Sequence, residues 1–213
     1  MTKITERGMI FNGEMVRALL DGRKTQTRRI VKGTDGAVKF CKEWNINGEE
    51  VFVVLGEKDH TGMNPVLGAI SCPFGAVGDR IWVREAFRVH SRATDVATLV
   101  YKASERNSWT EQTRRVPVAV CNKPATREKW TPSLHMPRWA SRILLEITGV
   151  RVERLRSMSQ DDARAEGVIA ASGPMEAGLA FRELWDSIYG EESWKANPWV
   201  WVIEFKRVEG GAA

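Results

Sequence analysis

Apolar positions recur along the chain with two periods, one helical and one extended. Within residues 14–20, Met15, Ala18 and Leu19 share one side of a helical wheel, with Asn12 as N-cap and Gly22 as stop. Residues 177–189 repeat the helical spacing with Phe181, Leu184, Trp185 and Ile188, and Gly190 supplies the C-terminal signal. Ser159-Gln160-Asp161-Asp162 has the form of a capping box and predicts a short helix through Glu166, ended at Gly167. Period two dominates residues 199–205: Trp199, Trp201, Ile203 and Phe205 fall on one face, Val200, Val202, Glu204 and Lys206 on the other.

Weaker alternation marks further strands. Gly78-Asp79 forms a turn into residues 80–87, where Ile81, Val83 and Phe87 alternate with polar neighbours. Residues 98–101 read as a strand, and 143–155 as one strand or a bent pair around Gly149. Between 33 and 78 turn signals are dense, and 51–55 reads as a short strand paired with 37–40. Residues 104–135 are polar and broken by Pro117, Pro124 and Pro132, which predicts an irregular insertion. The order of helix, strands, helices and closing strand predicts an α+β fold, as a small mixed barrel or sheet.

Composition narrows the class. A chain of 213 residues with 43% hydrophobic and 28% charged residues suits one filled core carrying long insertions, and argues against disorder. No apolar stretch approaches the ~20 residues a membrane span needs. The first residues lack the apolar segment of a secretory signal, and Cys41, Cys72 and Cys121 form no CxxC pair; both predict a cytoplasmic protein without membrane partners.

Lys and Arg outnumber Asp and Glu by 32 to 27, and residues 1–33 alone hold eight bases against three acids. The densest run is Gly22-Arg23-Lys24-Thr25-Gln26-Thr27-Arg28-Arg29. It suits an anionic or polar ligand, but a solvated basic turn is the simpler reading of charge alone.

Candidate chemistry is sparse. Cys41, His60, Cys72 and His90 are too far apart in sequence for a compact zinc pattern, so no metal and no cofactor is expected. Phosphate-loop, dinucleotide, HExxH and GxSxG signatures do not occur. Of nine tryptophans, Trp185, Trp199 and Trp201 read as core, whereas Trp109, Trp130 and Trp139 in the insertion are candidates for exposed stacking. A threonine hydroxyl such as that of Thr27 attacks a carbonyl only when a base takes its proton. Lys24, among Arg23, Arg28 and Arg29, is such a base if burial and neighbouring cations lower its pKa. A carboxyl such as Glu166 then protonates the leaving amine.

Three ordered blocks carry a resemblance. Leu19-Leu20-Asp21-Gly22-Arg23-Lys24-Thr25-Gln26-Thr27-Arg28-Arg29, Gly78-Asp79-Arg80-Ile81-Trp82-Val83-Arg84-Glu85 and Val202-Ile203-Glu204-Phe205-Lys206 resemble the ASCH domain family of the PUA-like superfamily. With Pro132-Ser133-Leu134-His135-Met136-Pro137-Arg138-Trp139-Ala140-Ser141-Arg142, the chain looks like the long members carried by phages and prophages. The resemblance implies a PUA-like small mixed β-barrel with flanking helices, as a single domain over residues 1–213 with insertions at about 33–77 and 89–140. Small bacterial members are amidohydrolases that remove the acetyl group from N4-acetylcytidine. By position, their proton acceptor falls on Lys24, their nucleophile on Thr27 and their proton donor on Glu166. Other PUA-like proteins bind RNA or modified bases without this chemistry. The alternative is therefore a binding module for RNA, DNA or a modified nucleoside in which Arg23, Lys24, Arg28 and Arg29 contact phosphates.

Overall fold

A computed structural model describes residues 4–169 and 176–208. Along the chain run β1 (Glu6–Ile10), α1 (Gly13–Leu20), β2 (Gln26–Ile30), β3 (Lys39–Trp44), β4 (Glu50–Leu55) and β5 (Val66–Ile70). Then follow β6 (Arg80–Arg84), β7 (Phe87–Arg92), β8 (Val96–Tyr101), α2 (Trp109–Gln112), β9 (Thr113–Pro117) and β10 (Leu144–Arg154). The chain finishes with α3 (Gln160–Ala165), α4 (Glu176–Tyr189), α5 (Glu191–Ala196) and β11 (Trp199–Arg207). The fold is α+β and mostly sheet, and among the described residues no sheet closes into a barrel. No described helix is long and apolar enough to cross a membrane. The chain divides into two units, one from residues 1–22, 79–146 and 206–213, the other from 23–78 and 147–205.

In the first unit, Asn12 caps α1 as the sequence predicts, its side chain accepting from the Met15 N–H at 2.8 Å, and Met15, Val16, Ala18 and Leu19 are buried. β1 runs parallel to β6 with Gly8 opposite Trp82. A Cβ at residue 8 would stand 2.5 Å from a Trp82 ring carbon, so this crossing admits only glycine as packed. The strand predicted over 80–87 is two strands, β6 and β7, interrupted at Glu85 and Ala86. The Glu85 carboxylate is 2% exposed and takes a two-pronged hydrogen bond from Arg142, Nε to Oε1 at 2.9 Å and Nη2 to Oε2 at 3.0 Å.

Residues 104–135 are less irregular than predicted. They contain α2 and β9, and β9 pairs with β8 in register Thr98↔Arg115 within the antiparallel sheet β7-β8-β9. One face of that sheet closes over Phe87, Val89, Leu99, Tyr101 and Val116 together with Met136 and Ala140.

In the second unit, β3 pairs with β4 in register Phe40↔Val54, and β5 completes an antiparallel three-stranded sheet within the turn-rich stretch. β11 pairs antiparallel with β2, placing Ile203 opposite Thr27. The alternation predicted for β11 is present, and both of its faces bury apolar side chains. Val200 and Val202 pack with Leu155, Ala163, Phe181 and Trp185, while Trp201 meets Phe52 edge-on at 5.0 Å on the other side. α4 buries Phe181 and Trp185 as its periodicity predicts; Ile188, placed on the same stripe by sequence, is exposed.

Candidate active site

The second unit brings the basic run of β2 against the end of α3. α3 starts where its capping box predicts: Ser159 Oγ accepts from the Asp162 N–H at 3.0 Å, and Asp162 Oδ2 accepts from the Ser159 N–H at 3.0 Å. Its last turn lies alongside residues 24 and 25. Lys24 forms an antiparallel bridge with Glu166, and the Thr25 N–H donates to the Ala165 carbonyl at 2.8 Å. On its other edge, the Thr25 carbonyl accepts from the Phe205 N–H at 2.9 Å. Residues 24–27 are thus held between β11 and α3, which fixes the backbone that carries the candidate side chains.

Lys24, Thr27 and Glu166 are 3%, 0% and 2% exposed, so all three are withdrawn from bulk water. Lys24 Nζ donates to Glu166 Oε2 at 2.7 Å and to the Glu166 carbonyl at 2.9 Å. The second carboxylate oxygen of Glu166 accepts from Arg28 Nη1 at 3.1 Å. Burial lowers the Lys24 pKa, the Glu166 charge and hydrogen bond oppose that shift, and Arg29 and Arg28 add to it by repulsion. Thr27 Oγ1 accepts from Arg29 Nη1 at 3.2 Å. Side chains alternate along an extended chain, and the contacts follow that rule. Lys24, Gln26 and Arg28 reach α3, whereas Thr27 and Arg29 bond to each other.

Arg28 is not placed to meet a phosphate at the surface, as the binding reading expects of it. Its guanidinium is 0% exposed and is held by Glu166, by Glu153 Oε1 at 2.7 Å and by Asp162 Oδ1 at 3.4 Å. Desolvating a guanidinium demands such carboxylates, so this arginine belongs to the internal charge cluster. Its Nε is a buried donor with no acceptor among the described residues. Arg23 and Arg29 are half-buried; Arg23 donates to the Gly167 carbonyl and Arg29 to the Arg28 carbonyl at 3.1 Å.

The sequence reading missed the outer part of this cluster. Arg151 Nη2 donates to Asp162 Oδ1 at 2.7 Å, and Arg151 Nε to Glu153 Oε2 at 3.2 Å; Arg151 also pairs with Glu204. Burial pushes the Asp162 carboxyl up, but the Ser159 N–H and hydroxyl, the Gln26 amide and Arg28 together hold it well below the usual carboxylate range. The available signal was Arg151 and Glu153 at alternate positions of one strand, with Glu204 on the strand beside it.

Of the tryptophans, Trp185 and Trp201 are buried as predicted, and Trp199 is half-buried beneath Arg154, whose guanidinium lies 4.2 Å from the ring centre. Trp109 is 53% exposed and Trp130 half-exposed. Trp139 is less open than predicted: it packs edge-on to Phe87 at 6.1 Å against the first unit's core. Among the described residues no three His, Cys, Asp or Glu side chains gather to hold a metal ion. Comparisons with protein-family profiles, with curated proteins and with solved structures each return no match.

Proposed function

We propose that the chain is an amidohydrolase for an acylated pyrimidine nucleoside of the N4-acetylcytidine kind, built on a PUA-like domain of the ASCH type. The observation that supports this reading best is the direct Lys24–Glu166 hydrogen bond in a water-excluded setting, three residues along the chain from a buried threonine. A lysine whose pKa is lowered by burial is fitted to act as a base.

In this reading the proton held between Lys24 Nζ and Glu166 Oε2 moves onto Glu166 as substrate enters, which leaves Lys24 as the neutral amine. Thr27 Oγ1 attacks the amide carbonyl carbon and its proton passes to Lys24, a transfer that requires Thr27 to leave Arg29 and turn toward Lys24, which reaches Glu166 on the α3 side of the strand. The tetrahedral intermediate breaks its C–N bond, and the departing exocyclic amine takes a proton from Glu166. Water then attacks the acyl-threonine ester, which releases the carboxylic acid and restores the hydroxyl. The proton gained by Lys24 is again held between it and Glu166 across their 2.7 Å bond, so the pair returns to its starting state without exchange with solvent. Arg29 must release Thr27 Oγ1 as substrate enters, because its Nη1 donates to that oxygen.

The test is incubation of the purified protein with N4-acetylcytidine, following cytidine by chromatography. Wild type turns the nucleoside over, and Thr27→Ala and Lys24→Ala each lose at least about 100-fold in rate. Absence of turnover by the folded wild type, or full activity of Thr27→Ala, overturns the reading.

A further inference from the structure

β4 reads Glu-Val-Phe-Val-Val-Leu, an unbroken apolar run of the kind found in strands that are covered on both faces. Only one of its faces is covered. Phe52 and Val54 are buried, Phe52 meeting Trp201 edge-on at 5.0 Å, and Phe40 of β3 packs from the same side onto Trp199 at 4.9 Å. Val51, Val53 and Leu55 alternate to the other face and are half-exposed. Register extends that outer face over all three strands, because directly paired residues share a face. Cys41 of β3 lies opposite Val53, while Ala69 and Val66 of β5 lie opposite Val53 and Leu55. Val66 is 67% exposed, and Ala69 is exposed as well.

The open face of an antiparallel sheet normally turns polar side chains to water. Here Cys41, Val51, Val53, Leu55, Val66 and Ala69 adjoin with no charged side chain among them, which is more than a scatter of surface apolar residues. The charges stand at the two ends of the β3 row: Lys39 opposite Leu55 and Glu43 opposite Val51, on either side of Cys41. Both are exposed, and neither has an ion-pair partner among the described residues. A surface that binds its own copy about a twofold axis must be self-complementary. A twofold along the Cys41–Val53–Ala69 rung, between two stacked sheets, reverses strand direction and keeps each strand over its own copy. Lys39 of each chain then faces Glu43 of the other, Val51 meets Leu55, and Cys41 and Val53 each meet their own copies.

We infer that the outer face of the β3-β4-β5 sheet is an interface between two copies of this chain, stacked sheet on sheet with their strands antiparallel. Sheets packed in this way lie about 10 Å apart and within about 30° of alignment, close enough to take the apolar centre out of water. Three short strands present a small footprint, so the dimer is weak, with a Kd of about 10–100 μM. The two charges select the direction. A twofold along the strands instead would stack β3 on β5 and leave Lys39 and Glu43 without partners. Lys24, Thr27 and Glu166 are not on this face, so the inference stands or falls separately from the proposed activity.

The experiment is sedimentation velocity of the full chain from about 1 to 200 μM, joined to crosslinking with a bismaleimide whose reach matches the ~10 Å sheet spacing. Wild type passes from monomer to dimer over that range and is crosslinked; Cys41→Ser abolishes the crosslink and Cys72→Ser keeps it. Val53→Asp, which sets two carboxylates together on the axis, abolishes association. Lys39→Glu and Glu43→Lys are at exposed positions that leave folding intact. Each raises Kd at least about fivefold by opposing like charges, and the double variant returns it to within about twofold of wild type. Trp44→Ala, at a tryptophan of the opposite face that is 67% exposed, leaves Kd unchanged. A monomer throughout the range, a dimer that does not crosslink through Cys41, or charge reversals that leave Kd unmoved or that the double variant fails to rescue overturns the inference.

Discussion

The ammonium of Lys24 and the carboxylate of Glu166 lie 2.7 Å apart, both fully out of solvent, although 142 residues separate them in sequence. Two desolvated charges this close are costly to bury and more costly to separate. Their mutual attraction offsets the lost hydration only while both are present.

Removal of one partner is therefore expected to be worse than removal of both. Glu166→Leu strands Lys24 and one arm of Arg28 and should destabilise the protein by about 3–5 kcal/mol. The double variant Lys24→Met/Glu166→Leu should recover at least about 1 kcal/mol of that loss. Urea unfolding of the wild type, both single variants and the double variant closes the cycle. Strict additivity would mean that the two groups do not interact.

Stability should depend on pH through two groups with opposite surroundings. Lys24 has a native pKa below its ordinary 10.5, so the unfolded chain holds a proton that the native chain gives up between the lowered value and about 10.5. Stability contributed at this site rises with pH across that interval, and Lys24→Met should flatten the rise. Asp162 has a native pKa below its ordinary 3.8, so its contribution is present above that value and disappears as pH falls below it. Asp162→Asn should blunt the acid limb of the urea midpoint below about pH 4. An acid limb of unchanged steepness would show that Asp162 is not among the groups responsible.

Arg142 should not tolerate lysine. Its guanidinium grips both oxygens of Glu85, donates to Ser104 Oγ at 2.8 Å and to the Glu111 carbonyl at 2.9 Å, and lies 4.1 Å from the centre of the Tyr101 ring. Burial raises the Glu85 pKa, and Arg142 is what pulls it back. A lysine keeps the charge but loses the two-pronged geometry and the flat stacking face. Arg142→Lys is expected to cost about 3 kcal/mol in urea unfolding, with little effect if the contact is only electrostatic.

The elements that were legible in the chain are those whose cause is local. The Ser159–Asp162 box and the Asn12 cap form between residues three apart, so residue spacing is enough to announce them. The Phe181/Trp185 stripe of α4 and the alternation of β11 likewise follow from helical and extended periods. The failures have a common origin in partners far away along the chain. β9 reads Thr-Arg-Arg-Val-Pro and has no strand pattern of its own; it is a strand because β8 offers it a ladder. The Val200/Val202 face of β11 is buried because α4 covers it, which no alternation within β11 reveals.

At the candidate site the same division holds. The type and order of Lys24, Thr27 and Glu166 were readable, and resemblance assigned them roles. That Lys24 and Glu166 touch and that Arg28 turns inward to three carboxylates were not. Periodicity and capping are properties of neighbouring residues and are written in the sequence. Strand register, burial and the pairing of charges arise only when segments more than 100 residues apart are pressed together and water is driven out between them.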